Sequence, residues 1–309
     1  VGAHQGVKMG IPGENAEGVI DGVAFLRTLR LGQKESLGEK VAVIGGGNVA
    51  LDSARSALRS GAQEATIFYR RTREEMPAYD EEIEAALEEG VKIEYQAGPR
   101  AIEKTAAGLT VQFVAMEMGD PDESGRRRPI PKAGSEYTLS FDTVIAAIGQ
   151  KPEVPEGVGI TADASPNRLA VETARGVFIG GDLLTGPRSV IDAIASGRKG
   201  ASLIDKFLGG EGNIDQVIPE TGTADPLAVV RSLFVDRSRA VMPMLPPAAR
   251  CADFPEVNLG FDDQTAAAEA ARCLGCDLRF QIKAAVMPPE SCLILTEDNV
   301  QGLPEGEGV

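Results

Sequence analysis

The passage Val41–Asp52 constrains this chain more than any other. An apolar run, Val41-Ala42-Val43-Ile44, gives way at once to Gly45-Gly46-Gly47-Asn48-Val49-Ala50, and helical spacing continues to Arg59. A short apolar run stopped by glycine predicts a strand buried on both faces, and a second, Ala65–Tyr69, follows the helix. Strand, glycine turn, helix and strand in that order make a βαβ unit, whose right-handed crossover requires a parallel sheet. Within it, Gly45 permits the tight turn, Gly47 lets a pyrophosphate approach the backbone, and Ala50 lets helix and strand pack closely. The helix N-terminus then faces the anion. An ordinary turn could use the same glycines, but the flanking strand and helix favour a dinucleotide site.

The end of the second strand selects the dinucleotide. A site for NAD places Asp or Glu there to accept from the ribose 2′-hydroxyl. This chain has Tyr69-Arg70-Arg71-Thr72-Arg73 instead. Guanidinium forks match a 2′-phosphate, so Arg70 and Arg71 point to NADP(H). The alternative is a solvated basic turn that balances the acidic residues 80–89. Basic clusters are scarce in a chain of 309 residues with 31 Lys and Arg against 46 Asp and Glu. The formal charge of −15 disfavours nucleic acid and anionic membrane surfaces as partners. No apolar run reaches the roughly 18 residues of a spanning helix, and residues 1–30 lack a secretion signal, so a cytoplasmic location is expected.

Other elements follow from periodicity. Apolar positions Val19, Val23, Leu26 and Leu29 predict a helix over 19–30; an acidic helix over 80–89 ends at Gly90, and Val91–Tyr95 reads as a strand. Alternation over 109–114 and 137–141 predicts an antiparallel insertion. Apolar strands follow at 143–149 and 176–182, then a helix over 189–207. Residues 209–260 are rich in Pro and Gly and read as an extended, wrapping tail, with a short helix over 264–272. Arg126-Arg127-Arg128 falls in the hairpin loop and reads as solvated, His4 as a turn residue, and Glu81, Glu82, Glu84, Glu88 and Glu89 as a helix face.

Five stretches together resemble a known family: Gly10–Glu14 (GIPGE), Val43–Asp52 (VIGGGNVALD), Tyr69–Ala78 (YRRTREEMPA), Thr143–Pro152 (TVIAAIGQKP) and Val177–Arg198 (VFIGGDLLTGPRSVIDAIASGR). In order and spacing they are similar to the two-dinucleotide flavoproteins, and within them to the glutamate synthase small subunit. The resemblance implies an α/β fold in which a Rossmann-like NADP-binding domain, 36–140, is inserted in an FAD-binding domain whose segments are 1–35 and 141–208. An irregular Cys-containing region, 209–309, follows. It also implies cofactor contacts from Gly45, Gly46, Gly47, Asn48, Ala50, Arg70, Arg71, Gly149, Gly181, Asp182, Ser189 and Val190. Asp182 is expected at the FAD ribityl chain and Val190 near the flavin ring. No second glycine fingerprint precedes Gly45 and the chain opens at Val1, so an N-terminally truncated fragment with an incomplete FAD domain is expected.

The chemistry implied is hydride transfer between NADPH and FAD without a side-chain acid or base, then electron transfer onward. Residues 1–250 contain no Cys, which excludes a redox dithiol beside the flavin in that segment. Cys273 and Cys276 stand three apart, and Cys251 and Cys292 complete the four thiols of a [4Fe–4S] cluster. Zinc would need the same four, and free thiols at a helix end are the third reading. A partner redox subunit or ferredoxin is the expected acceptor, with homo-oligomerisation left open. The rival functions are a nucleotide-binding fragment without turnover and a zinc-stabilised docking subunit.

Overall fold

The computed structural model describes residues 2–33, 35–122, 125–153, 170–174, 176–214 and 238–272. Of these, 2–214 and 245–257 form one compact unit, while 238–244 and 258–272 belong to a second.

The first unit opens with β1 (Gly2–Gly6), a short β2 (Val19–Asp21) and α1 (Gly22–Arg30). The expected βαβ unit follows as β3 (Lys40–Ile44), α2 (Asn48–Arg59) and β4 (Glu64–Tyr69), then α3 (Asp80–Glu88) and β5 (Lys92–Tyr95). Three longer strands, β6 (Ala97–Thr105), β7 (Gly108–Pro121) and β8 (Arg127–Phe141), make an antiparallel sheet. The chain returns through β9 (Thr143–Ala146) and β10 (Gln150–Glu153).

Five strands form a parallel sheet in the order β2-β9-β3-β4-β5. Alternation along each strand splits its side chains between two cores. Val41, Val43, Ile67 and Ile145 join Phe25 of α1, Leu51 and Ala54 of α2 and Ile83 of α3 on one face. Ala42, Ile44, Phe68 and Val144 face the antiparallel sheet, meeting Ile102, Val111, Phe113 and Phe141. The result is helices on one face and a second sheet on the other. Phe68 stacks on Phe113 with ring centroids 4.1 Å apart, and Phe141 meets Phe68 edge-on at 5.6 Å.

Two features differ from the sequence reading. Val19–Asp21 is a strand and not the first turn of a helix, because it pairs with β9, Val19 opposite Val144, before Asp21 caps α1 by accepting from Ala24 N at 2.9 Å. β9 also pairs with β3, so the ladders of this one sheet draw on residues from 19 to 146. Strand β6 adds a third strand to the insertion expected from 109–114 and 137–141, and Pro99 sits where its register with β7 shifts, the place a sheet tolerates proline.

Beyond β10 come the antiparallel pair β11 (Ala170–Ala174) and β12 (Val177–Gly180), a short α4 (Asp182–Thr185) and α5 (Val190–Phe207). Phe178 and Phe207 meet edge-to-face at 5.7 Å, holding α5 to β12. β1 and β10 pair with each other, and α4 packs on both. No helix among the described residues is long and apolar enough to cross a membrane.

Residues 245–257 lie against the far ends of α2 and α3. Arg250 is buried, donates to Glu88 Oε2 at 2.9 Å and to Leu245 O, and its own carbonyl accepts from Arg59 Nε at 2.9 Å.

Phe113 joins the two sheets, so Phe113→Ala should lower unfolding free energy by about 3–5 kcal/mol, read by urea denaturation. A loss under about 1 kcal/mol would mean that the aromatic stack does not hold the second sheet in place.

Candidate nucleotide-binding site

The C-terminal ends of β3 and β9 are neighbours, but the chain leaves β3 through α2 to β4 on one side while β9 lies on the other. That divergence opens a crevice where such sheets bind ligands. Ala147 N still donates to Ile44 O at 2.8 Å, so the two strand ends are tied up to the point of divergence.

The glycine turn fits into a narrow space. Gly45 adopts φ +149°, and a Cβ there would stand 2.2 Å from the Ala147 carbonyl oxygen. A Cβ on Gly46 would stand 2.4 Å from the Tyr69 ring. Gly47 is different: nothing lies within 4 Å of where its Cβ would be. It is the N-cap of α2 and supplies no side-chain cap, so the first amides of that helix are left for another acceptor. Space that the protein does not itself use, at a helix end bearing partial positive charge, fits a pyrophosphate. Ala50 is fully buried under the turn, and Asn48 Oδ1 accepts from Tyr79 N at 3.2 Å, tying the turn to the start of α3.

The two arginines after β4 part company. Arg70 is exposed and makes no ion pair among the described residues. Arg71 is 4% exposed; its guanidinium lies 2.6 Å from Asp122 Oδ2 and donates through Nε to the Arg127 carbonyl at 2.8 Å. The turn that follows is closed by a capping box between Thr72 and Glu75. Arg127 donates to Glu75 and, at 2.9 Å, to Glu74, so this arginine is not the solvated loop residue the sequence reading expected. With the Arg127 guanidinium first and Thr72 second, the Glu75 carboxyl is held down to about 2. Asp122, Thr72, Glu75 and Arg127 were missed as site residues, although the Thr72-x-x-Glu75 spacing is a capping signature visible in the sequence.

The second group of expected contacts lies past β9. Gly149, at φ +120°, accepts from Val7 N at 3.0 Å between β9 and β10. Gly181 adopts φ 61°, ψ −153°, a conformation essentially restricted to glycine, and Asp182 begins α4 directly after it. Ser189 caps α5 in a reciprocal box with Asp192, and Val190 beside it is 76% exposed. Of the four cysteines, Cys273, Cys276 and Cys292 lie outside the described residues. Cys251 is half-buried with Sγ 3.6 Å from the Glu89 carbonyl, and burial pushes its thiol up. Among the described residues no group of three or more His, Cys, Asp or Glu is placed to hold a metal.

Two predictions follow from this geometry. Gly47→Val should leave the melting temperature within about 2 °C of the parent, since no protein atom is met, while abolishing nucleotide binding. Gly45→Ala should instead destabilise the fold by about 1–3 kcal/mol or more, from strain and the clash with Ala147; equal behaviour of the two variants would refute the division between them. Because the Glu75 carboxyl is held down to about 2, its stabilisation of the turn is complete above the ordinary value of 4.5 and lost as pH falls through about 2. A carboxyl titration by NMR with its midpoint near 4.5 would sink the Arg127 pairing.

Comparisons with known proteins accord with this arrangement. Residues 1–197 match the pyridine nucleotide-disulphide oxidoreductase family. The chain is 41% identical to the NADP(+)-dependent formate dehydrogenase subunit beta of Moorella thermoacetica, over 89% of this chain and 41% of that protein. It is 34% identical to the glutamate synthase [NADPH] small chain of Escherichia coli K12, over 67% of this chain and 49% of that one. It thus spans less than half the length of these relatives. Among solved structures, Mycobacterium tuberculosis FprA in complex with NADPH aligns with a TM-score of 0.55 at 19% identity, over 68% of this chain and 63% of that one, a likeness of fold. With the match covering residues 1–197 of 309, the chain belongs to the pyridine nucleotide-disulphide oxidoreductase family.

Proposed function

We propose that this chain is the NADP(H)-binding part, and a portion of the FAD-binding part, of an NADPH-dependent flavoprotein oxidoreductase subunit of the glutamate-synthase-small-chain kind. The observation that carries this reading is the uncapped N-terminus of α2, with open space at Gly47 and the exposed Arg70 at the neighbouring strand end. Relatives named for NADP(+)-dependent formate oxidation and for NADPH-linked glutamate synthesis share this stretch. That pattern suits a common nucleotide module whose substrate is met elsewhere in the complex.

The residues present fit both groups. The α2 amides would hold the pyrophosphate, Arg70 the 2′-phosphate, and Asp182 with the exposed first turn of α5 the near side of the flavin. When bound, the nicotinamide and flavin supply the hydride and electron chemistry. The protein's share is position and electrostatics: a helix N-terminus toward each anionic group, and no side chain acting as acid or base. The matched segment 1–197 contains no Cys, so electrons would leave by another carrier. A [4Fe–4S] cluster on Cys251, Cys273, Cys276 and Cys292, passing electrons to a partner subunit or ferredoxin in the cytoplasm, completes the reading. Cys251 would have to surrender its contact with Glu89 O to take part.

A second reading is favoured by the share of the relatives' length that this chain spans: a nucleotide-binding fragment that does not turn over. The visible spectrum separates the two, since flavin absorbance in the purified chain supports a competent site and a colourless sample that still binds NADPH supports the fragment. Zinc analysis and iron analysis of anaerobic material decide between the cluster and a zinc-stabilised docking subunit.

Calorimetric titration should give tighter binding of NADPH than of NADH. Arg70→Ala should weaken NADPH about tenfold or more, the worth of one charge-assisted contact, and leave NADH within about twofold. Equal losses for both nucleotides would overturn the 2′-phosphate assignment.

A further inference from the structure

The tip of the β7–β8 hairpin reaches back to the loop after β4, and this contact is used by nothing in the function proposed above. Arg71 is anchored there twice, by Asp122 at 2.6 Å and by the Arg127 carbonyl at 2.8 Å. Its side chain is almost wholly buried, and the carboxylate beside it already neutralises its charge. An incoming phosphate would meet Asp122 as a like charge at short range. Arg71 is therefore a strut and not a free ligand. On the other side of the loop, the Arg127 guanidinium donates to Glu74, Glu75 and Thr72. Glu75 in turn accepts from the Thr72 backbone N at 3.1 Å, and its carbonyl accepts from the Tyr69 hydroxyl at 2.7 Å. The Tyr69 ring fills the space beside Gly46. One continuous set of contacts thus runs from the hairpin tip, through the turn 72–75, to the glycine turn, and Arg70 is the guanidinium it leaves exposed.

We propose that the β7–β8 hairpin tip sets nucleotide preference: Asp122 and Arg127 hold Arg71 and the turn 72–75 rigid, so that Arg70 is presented in one position to a ribose 2′-phosphate. Asp122, Arg127 and Arg71 are positioning residues in this assignment, and Arg70 is the contact. Fixing the loop in advance removes the ordering cost that an exposed arginine would otherwise meet on binding. The assignment rests on the NADP(H) reading above.

The test uses the full 309-residue chain and two small probes, 2′,5′-ADP and 5′-AMP, which differ only in the 2′-phosphate. Asp122→Asn keeps the size of the side chain and removes its charge. It should weaken 2′,5′-ADP about tenfold and leave 5′-AMP within about twofold, a selective loss that general unfolding would not produce. Because the clamp acts through Arg70, the same substitution in an Arg70→Ala background should have no further effect on 2′,5′-ADP. Arg127→Gln, which leaves Arg71 and Asp122 in place, should give the same selective loss and serves as the second variant if Asp122→Asn does not fold. Tighter 2′,5′-ADP binding by Asp122→Asn would mean that Asp122 competes with the phosphate for Arg71, and would overturn the proposal. Unchanged binding in both variants would overturn it too. A parent chain that binds 2′,5′-ADP no better than 5′-AMP would overturn the NADP(H) reading itself, and this assignment with it.

Discussion

The close approach of two strand ends governs the rest of the first unit. β3 and β9 run side by side until the Ile44 carbonyl accepts from Ala147, and at that point Gly45 must turn beneath the Ala147 carbonyl. Only a residue without Cβ fits, so the glycine turn is fixed by the sheet before any ligand is considered. From it follow the start of α2, the direction of its dipole, and the crevice beside β9. Gly45, Gly46 and Gly47 are adjacent in sequence but differently placed: the space beside the first two is filled by protein, and that beside the third is open.

Much of this was legible because each apolar strand alternates between two faces that are both buried. Val41 and Val43 face the helices while Ala42 and Ile44 face the second sheet, and the resulting unbroken apolar run is what identifies a central parallel strand. The weaker signals failed for local reasons. Three residues at Val19–Asp21 continue the apolar spacing of α1, so their pairing with β9 leaves no trace in periodicity. The place of Pro99 in β6 depends on a register shift that only the partner strand reveals. Ladders between residues more than a hundred apart, as between β3 and β9, likewise carry no local signature.

The candidate site was legible in kind but not in detail. Two adjacent arginines at a strand end are what raise the expectation of a phosphate, yet nothing in Arg70-Arg71 says which is exposed. That is decided by Asp122, some fifty positions away on the hairpin, and by an Arg127 whose neighbours Arg126 and Arg128 make it look like part of a solvated run. A charged cluster in sequence becomes a mixed one in space: three guanidiniums and four carboxylates interleave around the turn 71–75. Pairing of this kind takes up Arg71, Arg73 and Arg127 and leaves Arg70 exposed without an ion pair among the described residues.

The opposite end of α2 is held with equal care. Glu89, its side chain fully buried, accepts from Arg55 through both oxygens at 2.7 and 3.0 Å and from Arg59 at 2.8 Å. A carboxylate at the C-terminal end of α3 opposes that helix's dipole, while the two arginines suit the C-terminal half of α2. Burial of these charges is tolerable because their hydrogen bonds are shared among them, with Glu82, which accepts from Arg55 at 2.6 Å, and with the Arg250 carbonyl. Residues 245–257 therefore close the cluster from outside and complete its set of acceptors. With its N-terminus fixed by the glycine turn and its C-terminal half fixed by this cluster, α2 cannot slide along the sheet. An anion at Gly47 then meets amides whose position is set from both ends of the helix, which is the preorganisation that a helix-terminus phosphate site requires.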